Sequence, residues 1–171
     1  MKKIHLAWLL ALFTFIPASF ARANSASYLL TLTGDQAVPP GDPDGSASGI
    51  LSVDDVTGEI VWNFTYANIA DPTAMHIHGP NGPAGSTAGV FIGLGTSSSG
   101  PGILDASLTH ASLSDLSLIL SNPSDFYVNI HNADFPPGAV RDQLGVAVPE
   151  PSTALLLLTC LQGLHLVRRV R

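Results

Sequence analysis

Seven short segments of the chain carry the two-residue periodicity of β-strands, and this feature restricts the possible folds most. Successive side chains of a strand point to opposite faces of a sheet, so a half-buried strand alternates apolar and polar residues. Clusters of Gly, Pro, Asp and Ser separate the segments, as is typical of turns between strands. We therefore predict an all-β fold, an antiparallel β-sandwich or barrel. The predicted strands are Tyr28–Thr33, Gly49–Val53, Glu59–Ala67, Ala74–His78, Gly89–Leu94, Phe126–His131 and Ala139–Leu144.

The third of these strands has the clearest pattern. Its even-numbered positions are large and apolar, so this face is predicted to lie in the core, with Trp62 and Phe64 as its largest groups. Asp54–Gly58 is predicted to be the hairpin loop before it, because Gly58 can take a positive φ. Ser112–Ser121 departs from strand character and predicts one short helix. The leucines with helical spacing in that segment are Leu113, Leu116 and Leu120.

Residues 1–23 form a predicted signal peptide. The basic start Met1–Lys3 is followed by the apolar run Ile4–Ile16 and by Ala21–Ala23, whose sequence Ala-Arg-Ala is of the kind that signal peptidase accepts. We therefore expect the Sec machinery to export the chain, and signal peptidase to leave a mature protein that begins at Asn24. An uncleaved membrane anchor is the alternative.

The C-terminal segment, residues 148–171, combines a Pro-Glu-Pro motif, an apolar stretch and a terminal arginine cluster. The motif consists of Val148, Pro149, Glu150, Pro151 and Ser152. This order resembles the PEP-CTERM sorting signal of Gram-negative bacteria, and the arginines agree with the positive-inside rule. The resemblance implies a transmembrane helix that holds the exported protein in the inner membrane. It further implies that an exosortase cleaves near the motif and passes the protein to the cell surface or exopolysaccharide. A helix packed on the domain is the alternative.

The remaining segment, residues 24–147, is the predicted folded domain, and it is strongly acidic. It contains 12 of the chain's 13 acidic residues, and Arg141 is its single Lys or Arg. Such a surface repels nucleic acid, which excludes nucleic-acid binding. The chain's one cysteine, Cys160, lies in the predicted tail, so the domain has no disulfide. Its stability must come from packing or from a bound ion.

Two histidines one residue apart lie in the fourth predicted strand. His76 and His78 share one face and Met75 and Ile77 the other, so the histidines are expected to point away from the core. Their attachment points are roughly 6.5 Å apart, and from there two imidazoles can lean together onto one ion. The Gly- and Pro-rich segment Gly79–Ser86 is predicted to be a loop, either a rim over the histidines or an ordinary surface turn.

Four motifs follow one another through the domain. They are Gly34–Pro40, Ala47–Gly49, Met75–Pro80, and Tyr127–His131 leading to Pro137–Leu144. Together they resemble the CHRD domain, which was named from chordin and is widespread in bacterial secreted proteins. Two positions depart from the family pattern: Ala37 stands where an acid is usual, and Asp142 where a glycine is usual. The family has no settled activity but has been likened to the Cu/Zn superoxide dismutases. The resemblance therefore implies an immunoglobulin-like, Greek-key β-sandwich.

A third histidine extends the candidate site. His131 shares a face of its predicted strand with Tyr127 and Asn129, so it joins the first two histidines if the strands are neighbours. Three imidazoles suit one copper or zinc ion with an open fourth position. Dismutases similarly hold copper with a His-x-His strand and a later histidine, but Gly79–Gly102 contains no His, Asp or Glu for a second metal subsite. A hydrogen-bonded cluster that braces loops is the alternative, and His110 is interpreted as a surface histidine.

Arg141 shares a side of its predicted strand with Gln143. We predict a salt bridge to one of the domain's acids, and an anion guide beside a metal is the alternative. No nucleophile has the context that covalent catalysis needs. The sequence as a whole predicts an exported, non-enzymatic binding or structural module of the cell envelope or exopolysaccharide matrix, with an extracellular polymer as a partner. The alternative is a mononuclear copper or zinc protein with dismutase-like redox activity.

Overall fold

The computed structural model describes residues 25–96, 100–108 and 111–148. In these residues eight strands form one antiparallel sheet, which is curled into a half-barrel around an apolar core. The strands are β1 (Ser25–Thr33), β2 (Ser46–Asp54), β3 (Glu59–Ala67), β4 (Ala74–His78), β5 (Val90–Gly93), β6 (Ile103–Leu108), β7 (Tyr127–His131) and β8 (Val140–Gln143). Their order in the sheet is β5-β4-β7-β8-β1-β2-β3-β6. The prediction of an all-β antiparallel fold with one short helix is confirmed.

The β2–β3 hairpin shows how local chemistry fixes the register of the sheet. A carboxylate oxygen of Asp54 accepts hydrogen bonds from the backbone N–H groups of Val56 and Thr57, at 2.8 and 2.9 Å. Gly58 closes the loop with a φ of 76°, a conformation that glycine adopts without strain. The loop therefore pairs Asp54 with Glu59 and aligns the two strands along their whole length. The predicted hairpin loop is confirmed.

The even-numbered face of β3 lies in the core, as predicted. Ile60 and Phe64 are fully buried and Trp62 is 3% exposed. Between them, Val61 points outward and is 43% exposed. From Ile60 to Phe64, the alternation of apolar residues in the sequence therefore matches the alternation of buried and exposed side chains.

The sequence analysis predicts seven strands and misses β6, the eighth. It pairs with β3, placing Leu104 opposite Phe64 and Asp105 opposite Asn63. Leu104 is buried, but the aspartate and the small residues around it give the segment a weak apolar signal. Its strand conformation is thus set by pairing with β3 more than by local sequence.

The short helix, α1, spans Leu113–Ser121. It buries Leu116 and Ile119, whereas Leu113 is 50% exposed. The predicted helix is therefore present, but of the three predicted leucines only Leu116 is fully buried, and Ile119 is the second buried residue.

The two ends of the described chain meet at one place in the sheet. The backbone N–H of Val148 donates to the carbonyl of Ser27, at 2.7 Å, and the two residues form an isolated antiparallel bridge. None of the helices in the described ranges combines the length and hydropathy that crossing a bilayer needs. The predicted signal peptide, the predicted transmembrane helix with Pro149–Ser152, and His110 all lie outside the described residues.

Candidate metal centre

The pairing of β4 with β7 brings the three predicted histidines to one patch. In this antiparallel pair His76 lies opposite Asn129, His78 opposite Tyr127, and Ala74 opposite His131. Side chains opposite each other on one face have Cβ atoms about 4.5–5.5 Å apart, and diagonal neighbours remain within reach of long side chains. The condition on which the three-histidine site depended, that the two strands are neighbours, is therefore met.

The imidazole nitrogens converge on one point. Nε2 of His131 lies 3.2 Å from Nδ1 of His76 and 3.4 Å from Nε2 of His78. One nitrogen from each ring can be chosen so that all three lie within 4.8 Å of one another. Three nitrogens around one zinc or copper ion, each bound at about 2.0–2.1 Å with near-tetrahedral angles, would be about 3.3–3.4 Å apart. The two separations from His131 are of this size, and that between His76 and His78 is within 4.8 Å.

The histidines lie on the predicted face, but that face is not open to solvent. Met75 and Ile77 are fully buried in the core, so the histidines do point to the other side of β4. His78 is nevertheless only 7% exposed and His131 only 9%. Residues 79–89, hereafter the covering loop, lie over this side of the sheet and hydrogen-bond to it. The histidines thus point away from the core, as expected, and of the two alternatives for the loop after them the rim over the histidines is the one observed.

Two backbone carbonyls determine which nitrogens are free. Nδ1 of His78 lies 3.0 Å from the carbonyl oxygen of Ala88, and Nδ1 of His131 lies 2.9 Å from that of Pro136. A carbonyl can only accept, so in both rings the proton is on Nδ1. In the neutral rings Nε2 therefore carries a lone pair. These two lone pairs lie 3.4 Å apart, an arrangement that favours a cation between them. Without a metal, Nε2 of His131 can accept a hydrogen bond from Nδ1 of His76, 3.2 Å away.

The imidazoles do not readily provide this positive charge by taking up a proton themselves. Burial lowers the pKa of His76, and the neighbouring His131 lowers it further. Burial also lowers the pKa of His78; the Ala88 carbonyl opposes this shift, and His131, His76 and Arg141 add to it. Both rings therefore stay neutral at pH values where a free histidine begins to charge, and neutral imidazole is the form that ligates metals.

Tyr127 connects the cluster to Arg141. Its ring is stacked on the imidazole of His78, with centroids 4.9 Å apart and an angle of 4° between the planes. The guanidinium carbon of Arg141 lies 3.5 Å from the centroid of the same ring. The phenol oxygen is hydrogen-bonded to the backbone of Ala88, which also holds His78. Sequence reasoning placed Tyr127 on this face but gave it no role.

Arg141 is held by carbonyl oxygens rather than by an acid. It is 2% exposed and donates hydrogen bonds to the carbonyls of Ser86, Gly82 and Pro83 in the covering loop and to the side-chain oxygen of Gln143. Among the described residues no carboxylate lies within ion-pair distance of it. The predicted salt bridge is therefore wrong. The covering loop lies over β8, and its carbonyl oxygens take the place of a carboxylate as the acceptors of Arg141.

Asn129 lies between the histidines and was also given no role by the sequence. It is opposite His76 on β4, two residues from His131 on its own strand, and 4% exposed. Its amide nitrogen donates to the carbonyl of Pro137 at 3.0 Å, but its oxygen is buried without a partner. Gly138 packs on this amide so closely that a Cβ there would be 2.3 Å from the nitrogen. The amide oxygen of Asn129 is thus available to accept from a water or to face a cation beside the histidines.

The fold and the cluster together define a β-sheet protein with a candidate three-histidine metal centre. The family model of the CHRD domain matches residues 28–144. The chain belongs to the CHRD domain family. No curated protein and no solved structure matches it.

Proposed function

We propose that this CHRD domain is a metal-binding module that holds one copper or zinc ion through His76, His78 and His131. The observation that carries the proposal is the convergence of Nδ1 of His76 with the unprotonated Nε2 atoms of His78 and His131, whose Nδ1 atoms both donate to backbone carbonyls. The fixed tautomers and the hydrogen bonds behind them are the supports that metal-ligating histidines ordinarily have.

The ligand types agree with the choice of metal. Imidazole nitrogens suit copper and zinc, and three protein ligands leave a position open for a further ligand. When bound, the ion would act as a Lewis acid with one coordination position open to a further ligand. His76, the most exposed of the three, marks the side from which that ligand would approach. The domain offers no second metal-binding group in Gly79–Gly102, so we infer a binding role rather than dismutase-like redox activity.

The proposal includes export and sorting. The signal peptide predicted at residues 1–23 and the PEP-CTERM-like tail at residues 148–171 support secretion through the Sec machinery, a transient stay in the inner membrane and processing by an exosortase. The acidic domain would then act at the cell surface or in the exopolysaccharide, where an extracellular polymer is the expected partner. Its surface charge keeps it soluble there and attracts cations.

Metal stoichiometry tests the proposed site. The purified chain, loaded with copper or zinc and dialysed, should retain one ion per chain by elemental analysis. His78→Ala and His131→Ala should abolish this binding. His110→Ala is the matched control and should retain it. Weak binding of several ions, unchanged in both site variants, would show that the aspartates collect counterions and would refute the site.

A further inference from the structure

The candidate metal centre has no negative charge of its own. All three ligands are imidazoles, which are neutral when they bind a metal. The groups behind His78 and His131 are the backbone carbonyls of Ala88 and Pro136, where other histidine sites often use a carboxylate. A metal ion placed here therefore keeps its full charge in a largely buried position. The free-energy cost of burying an ion rises steeply with the number of unit charges it carries.

A positive charge lies close to this neutral ligand set. The guanidinium of Arg141 and the imidazole of His78 both contact the ring of Tyr127, so no more than that ring separates them. Arg141 comes from β8 and His78 from β4, the two strands that flank β7. The acceptors of Arg141 are neutral carbonyl and amide oxygens. Its charge is thus solvated by neutral oxygens, and among the described residues it forms no ion pair, although Asp35 lines the same pocket.

We propose that Arg141 determines the charge selectivity of the three-histidine site, favouring monovalent copper, Cu(I), over divalent ions. This inference rests on the proposed function, because it concerns an ion at the same histidines. The repulsion between Arg141 and the ion is proportional to the charge of the ion, so a dication is disfavoured twice as strongly as a monocation. Burial of the site acts in the same direction, and the low exposure of Arg141 limits the screening of its charge.

The ligand arrangement disfavours Cu(II) but does not by itself distinguish Cu(I) from Zn(II). Cu(II) favours square-planar or tetragonal coordination, which needs four ligands near one plane. The sheet supplies three nitrogens from two adjacent strands. A d¹⁰ ion such as Cu(I) or Zn(II) has no geometric preference from its d electrons, and for these two ions charge becomes the property that Arg141 can discriminate.

Arg141 also has a structural role, which the test must separate from its charge. Its hydrogen bonds to Ser86, Gly82 and Pro83 fasten the covering loop, whose Ala88 carbonyl orients His78. Losing this support would weaken binding of every ion. Losing the charge alone would strengthen binding, and more so for the dication. The two roles therefore predict changes of opposite sign.

The experiment compares Cu(I) and Zn(II), which have the same d¹⁰ shell and differ by one unit of charge. The affinities of both ions for the full-length chain are measured by competition with chromophoric chelators, the copper under anaerobic conditions. Arg141→Gln removes the charge and keeps some hydrogen-bonding capacity. Arg141→Lys is the matched control, because it keeps the charge and loses the fork of donors.

In Arg141→Gln the affinity for Zn(II) should rise by about the square of the factor for Cu(I), on the order of tenfold against threefold. In Arg141→Lys the ratio of the two affinities should remain that of the wild type. Equal changes for both ions in Arg141→Gln, or weaker binding of both, would overturn the proposal and leave Arg141 as a fastener of the loop.

A second variant keeps the test decisive if Arg141→Gln does not fold. Gln143→Glu places a carboxylate at a side chain that already accepts from Arg141, so it neutralises the guanidinium without removing it. It also loses the hydrogen bonds that the Gln143 amide nitrogen donates to backbone carbonyls, which would weaken binding of both ions by the same factor. The readout is therefore the ratio of the Zn(II) to the Cu(I) affinity, which should rise, and an unchanged ratio would overturn the proposal. Failure of the proposed function has a different signature: the wild type would then bind neither ion at the histidines, and His78→Ala would change nothing.

Discussion

The phenol ring of Tyr127 lies flat on the imidazole of His78, with the planes 4° apart and the centroids separated by 4.9 Å. The stack and the Ala88 carbonyl hold one face and one nitrogen of this imidazole inside the protein. A ring in this position is kept from water, and its charged form loses hydration that the stack does not replace. The stability of the domain should therefore depend on the protonation of this cluster.

The metal-free protein should lose stability as the pH falls. His76 and His78 have pKa values below the usual 6.5 of histidine in the folded state. The unfolded chain therefore takes up protons first, so the stability contribution is complete above about pH 6.5 and is lost as the pH falls through the folded pKa values. Thermal melts in a chelator at pH 7.5, 6.5 and 5.5 should show a falling melting temperature.

Two variants check the source of this dependence. His78→Gln should flatten it, because glutamine does not titrate. Asp142→Asn is the control for an acid whose pKa is raised by burial. Its protonation favours the folded state at low pH, so replacing it should not flatten the dependence. A melting temperature that stays constant or rises from pH 7.5 to 5.5 in the wild type would contradict the prediction.

Trp62→Ala should destabilise the protein by roughly 3–5 kcal/mol, through lost burial and the cavity that remains. The side chain is 3% exposed in the wild type. Urea denaturation measures the loss. Val61→Ala, on the exposed face of the same strand, should change the free energy of unfolding by less than about 0.5 kcal/mol. Equal effects of the two substitutions would mean that the even-numbered face of β3 is not the core face.

Gly79→Ala should cost about 3 kcal/mol, because the position combines an unusual backbone with a tight contact. Gly79 has a φ of 147°, and a Cβ there would lie 2.2 Å from Cδ1 of Phe126. Gly89→Ala is the matched control at the other end of the covering loop, since its Cβ would meet no atom within 4 Å. Urea denaturation of the two variants should differ accordingly, and similar stabilities would contradict the packing described for Gly79.

The sorting signal can be tested without disturbing the sheet. Val148 is bridged to Ser27, so a deletion of residues 149–171 preserves that contact. In a host with an exosortase, the wild type should lose its tail and appear outside the inner membrane. The deletion variant should be released to the periplasm or medium. Immunoblots of the fractions give the result, and a full-length tail in surface material would contradict it.

The strands were predictable where burial alternates strictly. The third predicted strand, Glu59–Ala67, coincides with β3, and Ala74–His78 coincides with β4, because one face of each packs on the core. The strand β6 escaped detection because Asp105 interrupts its apolar residues. Its pairing with β3 comes from the long-range order of the sheet, which no local pattern contains.

The ligands of the candidate site were predictable, but their surroundings were not. The positions of His76, His78 and His131 follow from strand alternation alone. The carbonyls of Ala88 and Pro136 belong to loops, and every residue has a carbonyl, so sequence gives no sign of which one a histidine meets. The same reason explains Arg141: a salt bridge is the usual expectation for a lone base among acids, whereas loop carbonyls satisfy it here.

The bridge between Ser27 and Val148 also fastens the last described residue to the first strand of the sheet. The histidine cluster lies on β4 and β7, and β8 separates β7 from β1. A pull on the chain beyond Val148 would therefore act first on β1, and only through β8 on the strands that carry the ligands.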